Sequence, residues 1–129
     1  MTHNQDIELG ALTKRSEFLY VREGDYAARG AIVVQCRANA DHQVIRYGVT
    51  ATKRIGNAVI RNRAKRRLRV IARELLPELG HAGHDYVLIA RDRTPIRDWK
   101  RLQQDARRAL QSVPSPGQSP TQDNRHKNR

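Results

Sequence analysis

The sequence predicts an α+β fold: a small two-layer sandwich, with one sheet of about four strands and helices packed on it. Three observations predict it. Two runs of strand length, 31–36 (AIVVQC) and 44–52 (VIRYGVTAT), lie close together in the first half of the chain. The stretch 53–73 (KRIGNAVIRNRAKRRLRVIAR) separates apolar from basic residues when wound at about 100° per residue. A third strand-like run, 86–90 (YVLIA), then precedes a second amphipathic segment. The 129 residues suit one domain with one modest core.

Each element has a local reason. Ser16 is placed to cap a short helix through Phe18, Tyr20 and Val21, which Gly24 stops in a left-handed conformation. Residues 31–36 are continuously apolar, whereas 44–52 alternate through Ile45, Tyr47, Val49 and Ala51. Between them, 38–43 holds Asn39 and Asp41 and reads as a hairpin connection. Gly56 and Asn57 break the second strand and open the basic helix, which Pro77 ends. Residues 86–90 lack alternation and read as a strand buried on both faces. Thr94 and Pro95 supply an N-cap and a first-turn proline for a last helix that directs Ile96, Trp99, Leu102, Ala106 and Leu110 to one side. Residues 1–11 are expected to be a flexible N-terminus, 12–112 the domain, and 113–129, rich in Pro, Ser and Gln, a disordered basic tail.

The basic helix carries the functional signal. Ile60, Ala64, Leu68, Ile71 and Leu75 share one stripe, while Asn62, Lys65, Arg66, Arg69 and Arg73 project opposite. Six of the nine residues from 61 to 69 are Lys or Arg, with no carboxylate among them. A solvated face ordinarily interleaves both signs to gain i,i+4 pairs, and this one does not. A polyanion would relieve the repulsion. The whole chain agrees, with 25 Lys plus Arg against 13 Asp plus Glu and a formal net charge of +12. The tail carries only +2 of that charge, so the basicity belongs to the domain. This balance predicts salt-dependent binding to nucleic acid.

Other chemistry is less well supported. His81, His84 and Asp85 form an H-x-x-H-D string in a loop, not on one helical face. Asp85, Asp92 and Asp98 are the carboxylates near enough for a two-metal nuclease centre, but Asp92 sits between two arginines and Asp98 lies in the first turn of a helix. No Walker loop or Ser/His/Asp arrangement is present, so no catalytic or metal residue is assigned to this chain. Cys36 reads as a buried thiol and Trp99 as a core anchor. The N-terminus lacks a signal-peptide pattern and no apolar run is long enough to span a bilayer, so a cytoplasmic location without membrane contact is expected.

The segment TKRIGNAVIRNRAKRRLR, with its Lys-Arg pair, Gly-Asn-Ala-Val turn and Arg-Asn-Arg helix, resembles the signature of the bacterial ribonuclease P protein component. The resemblance extends over roughly residues 12–111. It implies a small basic subunit that joins a catalytic RNA, one protein per RNA, in removing the 5′ leader of precursor tRNA. Mg²⁺, held mainly by the RNA, would be the cofactor. It also implies a left-handed βαβ crossover, against the general right-handed rule.

By position, the RNA-binding residues it implies are Lys53, Arg54 and Asn57 at the turn and Arg61, Asn62, Arg63, Lys65, Arg66 and Arg69 on the helix. Arg offers a planar fork to phosphate, Lys a point charge, and Asn both a donor and an acceptor. Arg63 and Arg67 have a second reading, as stems covering the core beside the apolar stripe. Phe18 matches a position lining the leader cleft, where it would stack on an unpaired base; the other reading is a core ring. The chain departs from the family pattern at Val21 or Arg22 and at Ile32 and Gln35, where aromatics are common, so weaker stacking is expected. Val70 stands where Glu is frequent, which removes one ion pair. Two rival functions are a general RNA-binding module and an autonomous nuclease.

Overall fold

The computed structural model describes residues 8–114. Strand β1 (Leu9–Ala11) is followed by helix α1 (Arg15–Arg22), strands β2 (Asp25–Arg29), β3 (Ile32–Ala38) and β4 (Ile45–Thr50), and a 3₁₀ turn at Lys53–Ile55. Helix α2 (Ala58–Leu79), strand β5 (His84–Ala90) and helix α3 (Trp99–Gln111) complete it. The α+β class is as expected, with five strands in the order β1-β4-β5-β3-β2. β1 and β2 leave little mark in the sequence because they are edge strands: LGA is three residues long, and DYAAR buries only Ala27. Residues 9–11 were expected in a flexible N-terminus, and they pair instead in parallel with β4.

The expected hairpin between β3 and β4 does not form. β5 lies between them, antiparallel to β3 and parallel to β4, so that α2 is the crossover joining two adjacent parallel strands. The polar loop 38–43 therefore bridges a gap one strand wide. Central placement explains the unbroken burial of β5, in which Asp85, Tyr86, Val87 and Leu88 are all buried.

The helices divide between the two faces of the sheet, adding a partial third layer. Ile32, Val34, Cys36, Tyr86 and Leu88 face α2 and α3 and form the main core with Leu68, Ile71, Leu76, Leu102 and Leu110. Each large side chain of that kind contributes about 1.5–3 kcal/mol on burial. Leu12, Val21 and Val87, with Phe18 and Tyr20 packed on them, form the smaller core under α1. Burial pushes the Cys36 thiol up to about 12, so this cysteine is a core group.

Several boundaries differ from the sequence expectation. Ser16 does not cap α1; Glu17 reaches back to the amides of Thr13 and Lys14 at 2.7 and 2.9 Å. Gly24 does not adopt a left-handed conformation. Its requirement is space, since a Cβ there would come within 2.3 Å of the Cys36 carbonyl oxygen. Pro77 does not end α2, which runs to Leu79 before Gly80 closes on the Leu76 carbonyl. The hydrogen bond that Pro77 cannot make would go to the Arg73 carbonyl, at an exposed position. Asp98, not Thr94, caps α3, accepting from the Arg101 amide, and Ile96 is exposed. Val113, placed in the tail, is buried in the core. The rest of the expected tail from residue 115, and residues 1–7, lie outside the described residues.

Candidate nucleic-acid interface

The N-terminal half of α2 is built to hold cations outward. Gly56 has φ 153°, a conformation that favours glycine, and Asn57 caps the helix by accepting from the Ile60 amide at 3.0 Å. Asn57 thus has its side-chain oxygen occupied, leaving its amide donor outward. Ala64, Leu68, Ile71, Ala72, Leu75 and Leu76 are buried, which fixes the rotation of the helix. Asn62, Arg63, Arg66, Arg69 and Arg73 are exposed as a result, and Arg61 and Lys65 are half-buried. Among the described residues, none of Lys53, Arg54, Arg61, Arg63, Lys65, Arg66 and Arg69 has a carboxylate partner. The Arg61 Nε is buried without a hydrogen-bond partner.

Arg67, in the middle of this run, does something else. Its guanidinium donates to the Thr94 carbonyl at 2.6 Å and lies 5.3 Å from the centre of the Trp99 ring. Of the two readings open for Arg63 and Arg67, Arg67 follows the core-covering one, whereas Arg63 is exposed. Thr94 is fully buried; its hydroxyl accepts from the Arg91 amide at 2.7 Å and donates to the Ala31 carbonyl at 2.6 Å. The Ala31 amide in turn donates to Asp105, which Arg97 clasps through Nε and a terminal nitrogen.

This polar chain shapes a groove that sequence reasoning missed. It has a volume of about 500 Å³, lies where β4 and β5 end, and is lined by Arg54, Arg91, Asp92 and Arg93 together with Thr52 and Ile55. Three cations from two segments meet there, Arg54 from the 3₁₀ turn and Arg91 and Arg93 from the loop after β5. The available signal was Arg91 and Arg93 directly after a strand.

On the α1 side, strand register defines rows that cross the sheet. One row is Arg46, Asp85 and Arg37; the next is Gly48, Val87, Gln35 and Tyr26; the third is Thr50, Ile89, Val33 and Ala28. α1 covers the first row, where Arg37 stacks 4.1 Å from the centre of the Tyr20 ring. Phe18 covers Gly48, and a Cβ at that glycine would come within 2.5 Å of the ring. Phe18 is half-buried, so its ring packs on the sheet and remains partly open to solvent. The third row is not covered: Val33, Thr50 and Ile89 are half-buried and Ala28 is exposed.

The seat of α1 on the sheet is fixed by a buried carboxylate. Asp85 is fully buried and accepts from Arg46 Nε and a terminal nitrogen at 2.9 and 2.8 Å, from Asn39 at 2.9 Å, and pairs with His42 at 2.7 Å. Burial alone would raise its pKa, but the hydrogen bonds from Arg46, Asn39 and His42 outweigh it and hold the carboxyl below its ordinary value. Arg46 also reaches Glu17 at 3.3 Å, tying α1 to the sheet. Asp85 and Asp98 are therefore committed to structural partners, and no helix among the described residues is long and apolar enough to cross a membrane.

Comparison with known proteins matches this arrangement to one family. The family model described as Ribonuclease P matches residues 9–113. The chain belongs to the ribonuclease P protein family. The ribonuclease P protein component of Caulobacter vibrioides is 48% identical over 103 residues, covering 79% of this chain and 69% of that one. The Ruegeria pomeroyi component is 44% identical over 111 residues, covering 84% and 89%. The ribonuclease P protein of Thermotoga maritima superposes with a TM-score of 0.68 at 26% identity, covering 80% of this chain and 96% of that structure. As a ribonuclease P protein component, the chain is the RNA-binding subunit of the endoribonuclease that matures tRNA 5′ ends, and its partner is the ribonuclease P RNA.

Proposed function

We propose a division of labour between the two surfaces. The exposed face of α2, through Arg61, Asn62, Arg63, Lys65, Arg66 and Arg69 with Lys53, Arg54 and the Asn57 amide, binds the catalytic RNA backbone. The cleft between α1 and the open sheet rows, with Phe18 as a stacking ring, holds the single-stranded 5′ leader of precursor tRNA. The groove between Arg54, Arg91 and Arg93 joins the two surfaces. One protein serves one RNA in the cytoplasm, the RNA holds the Mg²⁺ that activates water, and no residue of this chain enters the chemistry.

The observation that carries this reading is the run of cations without carboxylate partners among the described residues, on a helix whose other face is locked into the core. Neutralising phosphate there would lower the Mg²⁺ concentration the RNA needs. The test is cleavage of a 5′-extended precursor tRNA by a bacterial ribonuclease P RNA across a Mg²⁺ titration, with and without this chain, and with the chain alone. The expected result is cutting at the mature 5′ end at lower Mg²⁺ when both are present. An unchanged Mg²⁺ midpoint removes the electrostatic role, and cutting by the chain alone removes the RNA-based chemistry.

A further inference from the structure

The sheet row of Gly48, Val87, Gln35 and Tyr26 has an aromatic ring at each end. Phe18 covers the Gly48 end from α1. At the other end Tyr26 stands on the edge strand β2, 43% exposed. Three interstrand steps of about 4.8 Å separate the ends, roughly 14 Å, so one base cannot touch both rings. Between them Val87 is buried in the smaller core under α1, and Gln35 is half-buried directly opposite Tyr26. Directly opposed side chains in an antiparallel pair have Cβ atoms about 5 Å apart. Cys36 and Val34 point into the core, so alternation turns Gln35 to the cleft side, the same side on which Arg37 meets Tyr20.

Neither the Tyr26 hydroxyl nor the Gln35 amide has a hydrogen-bond partner among the described residues. Ring and amide are thus both available, side by side, on a flat surface. A ring stacks on any base, and an amide next to it can donate to and accept from that base's edge. A protein partner would instead be expected to engage the free backbone edge of β2, which Asp25 and Arg29 flank with charge.

We propose that Tyr26 and Gln35 form a second nucleotide position in the cleft: Tyr26 stacks on a leader base other than the one at Phe18, and Gln35 reads that base's edge. The pair then sets leader preference in this protein. This rests on the reading of the cleft as the leader path.

The test uses holoenzyme reconstituted with a bacterial ribonuclease P RNA, and precursor tRNAs with a one-nucleotide leader, a long leader, or a long leader carrying one abasic position at a time. Tyr26→Ala is expected to lower the long-to-short-leader affinity ratio about 10-fold, and Tyr26→Phe to retain it. One abasic position should weaken binding to the parent by a similar factor and have no further effect on Tyr26→Ala. Gln35→Leu should level the parent's preference among the four bases at that position. A parental ratio unchanged in Tyr26→Ala overturns the stacking role, with the leader path intact. Base preference that survives in Gln35→Leu overturns the reading role. A parent that gains nothing from a long leader removes the leader path, and this inference with it.

Discussion

Arg66 and Arg67 are adjacent in sequence and should fail in opposite ways when each is changed to Ala. Arg66 is exposed, has no carboxylate partner among the described residues and faces outward. If it meets a phosphate, its loss should lower the slope of log K against log salt by about 0.9, so the fall in affinity between about 50 and 200 mM salt shrinks by about 3.5-fold. Stability should change by less than about 0.5 kcal/mol, as for surface positions generally. Arg67 instead holds the Thr94 carbonyl and the Trp99 ring. A charged hydrogen bond contributes about 1.5–3 kcal/mol, reduced here because the side chain is partly exposed, and the stacking adds about 0.5–1 kcal/mol. A loss of about 2 kcal/mol would lower Tm by roughly 8 °C at this size. Binding to ribonuclease P RNA across a KCl series, together with thermal melts of the free proteins, separates the two. An Arg66→Ala variant with the parental salt slope, or an Arg67→Ala variant that loses slope but keeps its Tm, would refute the assignment.

Two further predictions concern the cleft. Asp85→Ala leaves Arg46 without its buried partner and should cost about 3–5 kcal/mol by chemical denaturation. Because the folded-state pKa of Asp85 lies below its ordinary value of 3.8, its contribution is complete above about pH 4 and is lost as pH falls through the folded value. The parent should therefore lose stability more steeply below pH 4 than Asp85→Asn; parallel acid profiles would show that the carboxylate contributes nothing. Gly48→Ala drives a methyl into the Phe18 ring and should cost about 1–3 kcal/mol while selectively weakening long-leader precursors. Equal loss for short and long leaders would place Phe18 in the core alone.

What was legible in the sequence was whatever a period or a charge pattern records. The apolar stripe through Ala64, Leu68, Ile71 and Leu75 set the rotation of α2, and the exposed Asn62, Arg66, Arg69 and Arg73 follow from it. Non-local pairing leaves no such record. Nothing in 31–52 says that a strand forty residues on will enter between β3 and β4, so the polar loop 38–43 looked like a hairpin. Thr94 before Pro95 is a sound capping signal, yet the Thr94 hydroxyl went to the Ala31 carbonyl, across the sheet, and Asp98 took the cap. The expectation of weaker stacking rests on Val21 or Arg22 and on Ile32 and Gln35; register places Tyr26 beside Gln35 from a strand too polar to be read as one. Arg67 shows the same limit within α2: its helical angle follows from the sequence, but its partners, Thr94 and Trp99, lie on the loop after β5 and at the start of α3.

Salt should act in opposite directions on the fold and on its complex, and the sign follows from α2. Six like-charged pairs stand at i,i+3 or i,i+4 along residues 61–73, as Arg61 with Lys65 and Arg63 with Arg66 do, and no carboxylate lies among them. At about 0.3 kcal/mol each, they oppose folding of the free protein by about 2 kcal/mol at low ionic strength. The apolar face outweighs this, but the repulsion remains until counterions or phosphates screen it. Raising KCl from about 50 to 500 mM shortens the screening length to about 4 Å, less than the spacing of those pairs. The Tm of the free protein should then rise by about 5–8 °C over a range in which affinity for ribonuclease P RNA falls by orders of magnitude. A conventional domain, its surface charges paired, would show the second effect with little of the first. A Tm that is flat or falls with KCl would mean that the cations of α2 are already compensated within the protein, and the case for a face held open for phosphate would fail with it.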